Sequence, residues 1–350
     1  MAEVCSEPQI IQDLYSSTTH FLVFIATPAS IPSYLREKSL VSGSDTITVT
    51  EIPGSSSSLL LKIETPGQRY VLKQPLYLKP AEGGTASLKR AERETDCLRY
   101  LCKTLHTSFV PKVMHHDAEN HLFIMQALPE DALCWQDQLL RQEIHAETAA
   151  RVGGALGSLH QITYGSEDAS QRFGDKTFFH ELQLTSFYSS LTGMHPRLSE
   201  AIGSHATLLV TTNMCLLHGD FQPSNVILSE GHLMLLDWDM AHFGHPSFDP
   251  ALMLAHLTLQ TFRFREHKDS YLPLVTGFWN AYTHAAHFET SQWHERSVLP
   301  HLGCLLLAKL ASEEILKDKA TCERLQSVAS SLILHEIPAM HVYLDLLSQV

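Results

Sequence analysis

Residues 216–250 read LLHGDFQPSNVILSEGHLMLLDWDMAHFGHPSFDP, and the spacing of the polar residues in this stretch decides the fold. Asp220 follows His218 and Gly219, and Asn225 stands five residues later, directly before the apolar run Val226-Ile227-Leu228. Ser229-Glu230-Gly231-His232 separates that run from Leu233-Met234-Leu235-Leu236. Two short apolar runs split by a polar, Gly-containing loop predict a β-hairpin. Folding Leu228 against Leu233 returns Asn225 to the side of Asp237, so that one amide and two carboxylates share a site.

Taken singly, each of these residues suits an ordinary polar turn. As a spaced set they point to chemistry. Converging oxygen ligands suit a hard divalent ion, and Mg²⁺ characteristically takes one or two carboxylates together with phosphate oxygens of a nucleotide. Asn225 and Asp237 are the expected metal ligands, which leaves Asp220 to orient and deprotonate an attacking hydroxyl. That is the division of labour in kinase-type phosphoryl transfer.

His218-Gly219-Asp220, Asn225, Asp237-Trp238, Gly244, Pro246 and Asp249-Pro250-Ala251 together resemble the aminoglycoside phosphotransferase and choline kinase superfamily of small-molecule kinases, nearest to its methylthioribose-kinase-like branch. The resemblance covers most of the chain. It implies an α+β, two-lobed, protein-kinase-like fold: a small antiparallel-sheet lobe over 1–127, with a helical lead-in over 1–45, and a larger, mainly helical lobe over 128–350. ATP is then expected between the lobes, with Mg²⁺ as cofactor and a small hydroxylated molecule as acceptor. His218 is expected to brace the catalytic loop, Asp249 to anchor it through hydrogen bonds, and Asp239 to serve as a second acid near the metal or as a structural cap.

Working outward towards the N-terminus, residues 8–40 carry apolar residues at mixed helical spacing, interrupted by Pro28 and Pro32. From Thr46 the pattern alternates. Ile47 to Ile52 and Leu59 to Glu64 predict two strands around the small-residue loop Pro53-Gly54-Ser55-Ser56-Ser57-Ser58, an arrangement able to fold over the phosphates of a nucleotide. Relatives carry more glycine here and an Asn at the end of the loop. In this chain the backbone N–H groups of Gly54 to Ser58 and the serine hydroxyls become the candidate phosphate donors. Arg69 to Gln74 predicts the next strand, with Lys73 matching the family's phosphate-clamping lysine. A charge among apolar strand residues needs a partner, and the helix predicted over 87–103 supplies Glu94, which shares its inward face with Leu98 and Leu101. Leu122 to Gln126 reads as a buried strand leading to a hinge near Ala127, where backbone groups around Gln126 are expected to meet adenine.

Towards the C-terminus, Ala146 to Ile162 predicts a helix, and 163–185 shows no clear periodicity. Gly174-Asp175-Lys176-Thr177 has the wrong glycine spacing for a P-loop. In the 178–188 region relatives tend to carry Arg and Asp-Pro-Tyr, whereas this chain has Gln183 and Thr185-Ser186-Phe187-Tyr188, a difference that bears on substrate. Four helices are expected over 251–264, 271–286, 299–317 and 321–348. Only twelve positions separate Asp237 from Asp249, too few for the activation segment on which protein kinases bind peptides, so a small acceptor is expected.

With 350 residues, 44% of them hydrophobic, the chain is long enough for two lobes with a sizeable core. Its 25 basic and 38 acidic residues give a net charge of −13, which argues against a nucleic-acid partner. Seven scattered cysteines without a CxxC pair read as reduced thiols. No apolar run reaches the length of a membrane span, so a cytoplasmic protein without membrane contact is expected. Its 22 histidines show no zinc spacing, and the sequence leaves the oligomeric state open. A second reading, a catalytically silent, kinase-fold regulator that binds nucleotide, draws its support from the altered loop at 53–58.

Overall fold

The computed structural model describes residues 24–53, 57–76, 85–104, 109–287, 292–312 and 318–349. The fold is mixed α+β, as expected. Its contacts divide the chain into two compact units, Met1–Ala91 with Met114–Met125, and Glu92–Val113 with Gln126–Val350.

The smaller unit is a five-stranded sheet backed by a short helix. β1 (Thr48–Glu51), β2 (Ser58–Thr65) and β3 (Gln68–Pro75) pair antiparallel in sequence, and β5 (Leu122–Gln126) and β4 (Val113–Asp117) complete the order β1-β2-β3-β5-β4. Strand alternation sends Leu61, Ile63, Leu72, Leu122 and Ile124 to one side, where they pack with Ile31, Tyr34 and Leu35 of α1 (Ile31–Glu37). Pro32, expected to interrupt the lead-in, instead lies in the first turn of α1, where the missing N–H costs nothing. The expected helical residues before Phe24 lie outside the described residues.

Polar side chains fasten this lead-in to the sheet. Gln74 accepts the Ala26 N–H on Oε1 (2.9 Å), and its Nε2 donates to the carbonyls of Phe24 and Asn120. The Tyr34 hydroxyl donates to Asp117 Oδ2 (2.8 Å), and Lys38 Nζ lies 3.2 Å from the same oxygen. Burial alone would raise the Asp117 carboxyl, but hydrogen bonds from Asn120, Tyr34 and Lys38 hold it down at about 2.

The larger unit is built on helices. α2 spans Thr85–Thr104, α3 Trp135–Leu140, α4 Ala146–Thr163, α5 Glu167–Phe173, α6 Ser199–Thr211, α7 Phe248–Arg263, α8 Lys268–Ala285, α9 Gln292–Ser312, α10 Lys319–Ile333 and α11 Met340–Gln349. Two small sheets accompany them. β7 (Cys215–Leu217) pairs with β10 (His242–Gly244), and β8 (Val226–Ser229) lies between β6 (Leu133–Cys134) and β9 (His232–Leu235). α4 approaches α8 at backbone contact, because Gly153 and Gly157 face the carbonyls of Phe278 and Tyr282.

Two expectations change here. The single helix expected over 321–348 is two helices, because His335 adopts φ +60 after α10 and Pro338 follows, a left-handed C-terminal cap and a stop. The aperiodic 163–185 region is helical, comprising α5 and a run whose central turn, His180–Ser189, is a π-helix. Lys176, in the discarded P-loop look-alike, donates to the carbonyls of Leu209, Val210 and Thr212 and so caps the end of α6.

A methyl group at Gly153 would collide with the Phe278 carbonyl oxygen, so Gly153→Ala is expected to destabilise the protein by about 1–3 kcal/mol. A urea midpoint equal to that of the parent protein would refute this packing.

Candidate active site

The loop after β7 carries Asp220, and backbone chemistry sets its path. Gly219 has φ +83, a left-handed conformation, and a Cβ there would strike the Met240 carbonyl, so glycine is required twice over. The Asp249 carboxylate, fully buried at the start of α7, accepts the His218 N–H on Oδ2 (2.7 Å) and the Gly219 N–H on Oδ1 (3.0 Å). His160 Nε2, from α4, lies 3.4 Å from Asp249 Oδ2, and its Nδ1 lies 3.1 Å from the Tyr282 hydroxyl on α8. Burial would raise the Asp249 carboxyl, yet the hydrogen bond and charge of His160, with the charge and N–H of His218, hold it below the usual carboxylate range. His218 braces the loop from its other edge, its Nε2 2.9 Å from the Leu236 carbonyl. The loop-holding contacts expected of His218 and Asp249 are therefore present.

The predicted hairpin forms in the predicted register, with Leu228 opposite Leu233 and Val226 opposite Leu235. Its turn residues Glu230 and Gly231 both have positive φ, the geometry that suits the twist of a tight hairpin. Leu236 N–H donates to the Asn225 carbonyl, which brings the strand end carrying Asp237 beside Asn225. Asp237 itself adopts φ +67, a conformation rarely taken by a non-glycine residue and typical of constrained functional positions.

One oxygen from each of Asp237, Asp239 and Glu94 lies within 4.8 Å of the others. Three convergent carboxylates are the donor chemistry of a hard divalent cation, so the residues present fit such an ion. Asp239 thus joins the acid group rather than serving only as a cap. Glu94, expected as the partner of Lys73, brings its carboxylate to the same group.

Asp220 is held by side-chain amides. Gln183 Nε2 donates to Oδ1 (3.0 Å), Gln222 Nε2 to Oδ1 (3.0 Å) and Oδ2 (2.9 Å), and Asn225 Nδ2 to Oδ2 (2.9 Å) and to the Asp220 carbonyl (2.9 Å). Burial and the negative charge of Asp237 raise the Asp220 carboxyl, against the opposing pull of His218, Gln222 and Asn225. Gln222 is the site residue that sequence reasoning missed, and Gln183, singled out there only for a difference that bears on substrate, is found holding Asp220. Gln222 lay in plain view two positions after Asp220, whereas Gln183 sits in the π-helical turn, where the usual helical period gives no signal.

In the smaller unit, Lys73 is buried on β3 opposite Leu60, and Ser58 is buried at the start of β2 opposite Pro75. The Ser57 carbonyl accepts the Leu76 N–H, which closes the base of the loop. Gly54, Ser55 and Ser56 lie outside the described residues. Gln126, at the end of β5, donates its N–H to the Lys112 carbonyl and is exposed.

The profile described as the Phosphotransferase enzyme family matches residues 48–286. The chain belongs to that family. Its members' name states the reaction class, and this chain is a small-molecule kinase. Among its relatives, the methylthioribose kinase of Exiguobacterium sibiricum is 24% identical over 288 residues, covering 74% of this chain and 72% of that enzyme. The methylthioribose kinase of Yersinia pseudotuberculosis is 26% identical over 246 residues, 61% of this chain and 59% of its own length. Among solved structures, amicoumacin kinase hAmiN in complex with AMP-PNP, Ca²⁺ and Ami superposes with a TM-score of 0.55 at 14% identity, covering 88% of this chain and 95% of that one. The choline kinase of Cryptosporidium parvum gives 0.54 at 14% identity, covering 92% and 97%. These likenesses carry the kinase-like fold. Among the described residues no helix is long and apolar enough to cross a membrane.

Asp249→Ala would strand two buried backbone N–H groups, at about 1–3 kcal/mol each, and is expected to lower both the melting temperature and turnover. Unchanged turnover would show that the loop does not depend on this carboxylate. A pH dependence also follows. Burial lowers His242 and His245 from 6.5 to about 4 and His294 to about 3. These three stay neutral in the folded state while the unfolded chain takes up protons as the pH falls below 6.5. Stability is therefore present above 6.5 and lost progressively towards 4. The raised Asp220 works in the opposite sense, one group against these three and the likewise lowered His205, His256 and His301. Urea midpoints measured across this window should fall with pH, and a flat profile would refute the neutral-histidine core.

Proposed function

We propose that this kinase transfers the γ-phosphoryl group of ATP to a hydroxyl of a small polar molecule, with Mg²⁺ as cofactor. The observation that carries the reading is the arrangement around Asp220: a half-buried carboxylate aimed by three amides, beside a hairpin that returns Asp237 to Asn225.

In this reading Asp220 Oδ accepts the proton of the acceptor hydroxyl as its oxygen bonds to the γ-phosphorus and the bond to the β,γ-bridging oxygen breaks, releasing ADP. Asn225 and Asp237 hold the metal ion, with Asp239 and Glu94 as the further carboxylates of that group. When bound, the ion supplies charge neutralisation on the phosphate oxygens. Lys73 clamps the α- and β-phosphates, backbone N–H groups of Gly54, Ser55, Ser56, Ser57 and Ser58 contact phosphate oxygens, and backbone groups at Gln126 meet adenine. The larger, helical part of the chain selects the acceptor.

The methylthioribose kinases among its relatives place a thiosugar first among acceptors to try, followed by other sugars, amino alcohols and aminoglycosides. The different residues at 183 and 185–188 are the reason for a panel rather than a single substrate.

The test is Mg-ATP turnover against that panel, with Asp220→Ala in parallel. One acceptor should stimulate turnover, and the variant should lose about 10²- to 10⁴-fold in kcat while still folding. A variant with full kcat would remove Asp220 from the mechanism. Mg-ATP that raises the melting temperature while no acceptor is turned over would favour the regulatory reading.

A further inference from the structure

The amide cradle around Asp220 has an internal asymmetry. An ionised carboxylate offers about four lone-pair sites, and the four donor contacts from Gln183, Gln222 and Asn225 occupy that number. An acceptor hydroxyl can donate to Asp220 only where one of these donors gives way. Asn225 is tied by a second bond to the Asp220 carbonyl, 2.9 Å away. Gln222 is partly exposed on the loop and spans both oxygens with one nitrogen. Gln183 is buried, and its Nε2 is engaged on two sides, by Asp220 Oδ1 at 3.0 Å and by Met240 Sδ at 3.3 Å.

Gln183 is also the donor with the stiffest support. It sits in the π-helical turn His180–Ser189, and π-turns inside helices gather at functional sites. That turn is pinned at both ends. Phe179 stacks on His242 at 4.1 Å between centroids and meets the edge of Phe248 at 4.7 Å, and the Tyr188 hydroxyl lies 2.8 Å from His301 Nδ1. Through Met240 the same amide touches the residue next to Asp239. Gln183 thus ties the catalytic loop to the strand end that bears the acidic group.

Resting on the phosphotransfer reading above, we infer that Gln183 is the positioning residue that keeps Asp220 Oδ1 aimed while the acceptor's hydroxyl replaces the Gln222 amide. The substitution that separates this role from packing is Gln183→Met, which keeps length and burial and removes only the donor. Gln183→Glu sets a second carboxylate against Asp220, and Gln183→His restores an N–H donor.

Two experiments decide it. With the acceptor from the panel, Gln183→Met should lower kcat by up to about 10²-fold, with the KM for Mg-ATP unchanged. Gln183→Glu should lose more, and Gln183→His should recover part of the loss. The second experiment needs no acceptor. In a urea-denaturation cycle, Gln183→Met should lower the midpoint of the parent protein but leave that of Asp220→Ala unmoved. A non-additive cycle without turnover on any acceptor would sink the phosphotransfer reading and leave the Gln183–Asp220 contact standing. An additive cycle, or a Gln183→Met enzyme with full kcat beside an inactive Asp220→Ala, would overturn the inference while sparing that reading.

Discussion

Asp249 places a carboxylate where its side chain has no exposure, and the surrounding structure exists in the form that makes this tolerable. An isolated buried charge is among the most costly groups a fold can hold, and it survives only when hydrogen-bonded and paired. Here the donors are the N–H groups of His218 and Gly219, with His160 alongside. The carboxylate needs the loop as much as the loop needs the carboxylate. Because His160 belongs to α4 and meets Tyr282 on α8, the same requirement reaches the close packing of those helices across Gly153 and Gly157. Displacement of α4 from α8 would be felt at Asp220 through two hydrogen bonds.

The site itself crowds negative charge. Asp237, Asp239 and Glu94 converge, and the charge of Asp237 acts on Asp220. Burial and the charge of Asp237 raise the proton affinity of Asp220, and the side chains that donate to it are neutral amides rather than cations. Amides can fix the direction of a carboxylate without cancelling its charge, which leaves the Asp220 carboxyl raised by burial and by Asp237. Three convergent carboxylates are the donor chemistry of a hard divalent cation, and such an ion would cancel much of the remaining charge.

Much of this was legible in the chain. The hairpin register followed from two apolar runs flanking a short polar turn, because a one-residue slip would turn Leu233 and Leu235 away from the core. β2, β3, α2 and α4 matched their predicted spans to within two residues, each having a clean period of 2 or 3.6. The anchoring role of Asp249 was implied by the family resemblance of Asp249-Pro250-Ala251, and its contacts with the His218 and Gly219 N–H groups fit that expectation. The break between α10 and α11 was less visible. It depends on His335 taking a left-handed conformation, which periodicity does not report.

The 177–194 run failed for a different reason. Its buried side chains are Phe178, Phe179, Gln183, Leu184, Tyr188 and Leu191, and the apolar step from Phe179 to Leu184 is five residues, which breaks the 3.6 period. A π-helical turn widens the step because each N–H reaches back five residues, and it shifts every later side chain around the axis. The widened turn is the local solution by which residue 183 meets Asp220 between the packing anchors Phe179 and Tyr188. The aperiodic stretch between two well-patterned helices was itself the trace of that solution in the sequence.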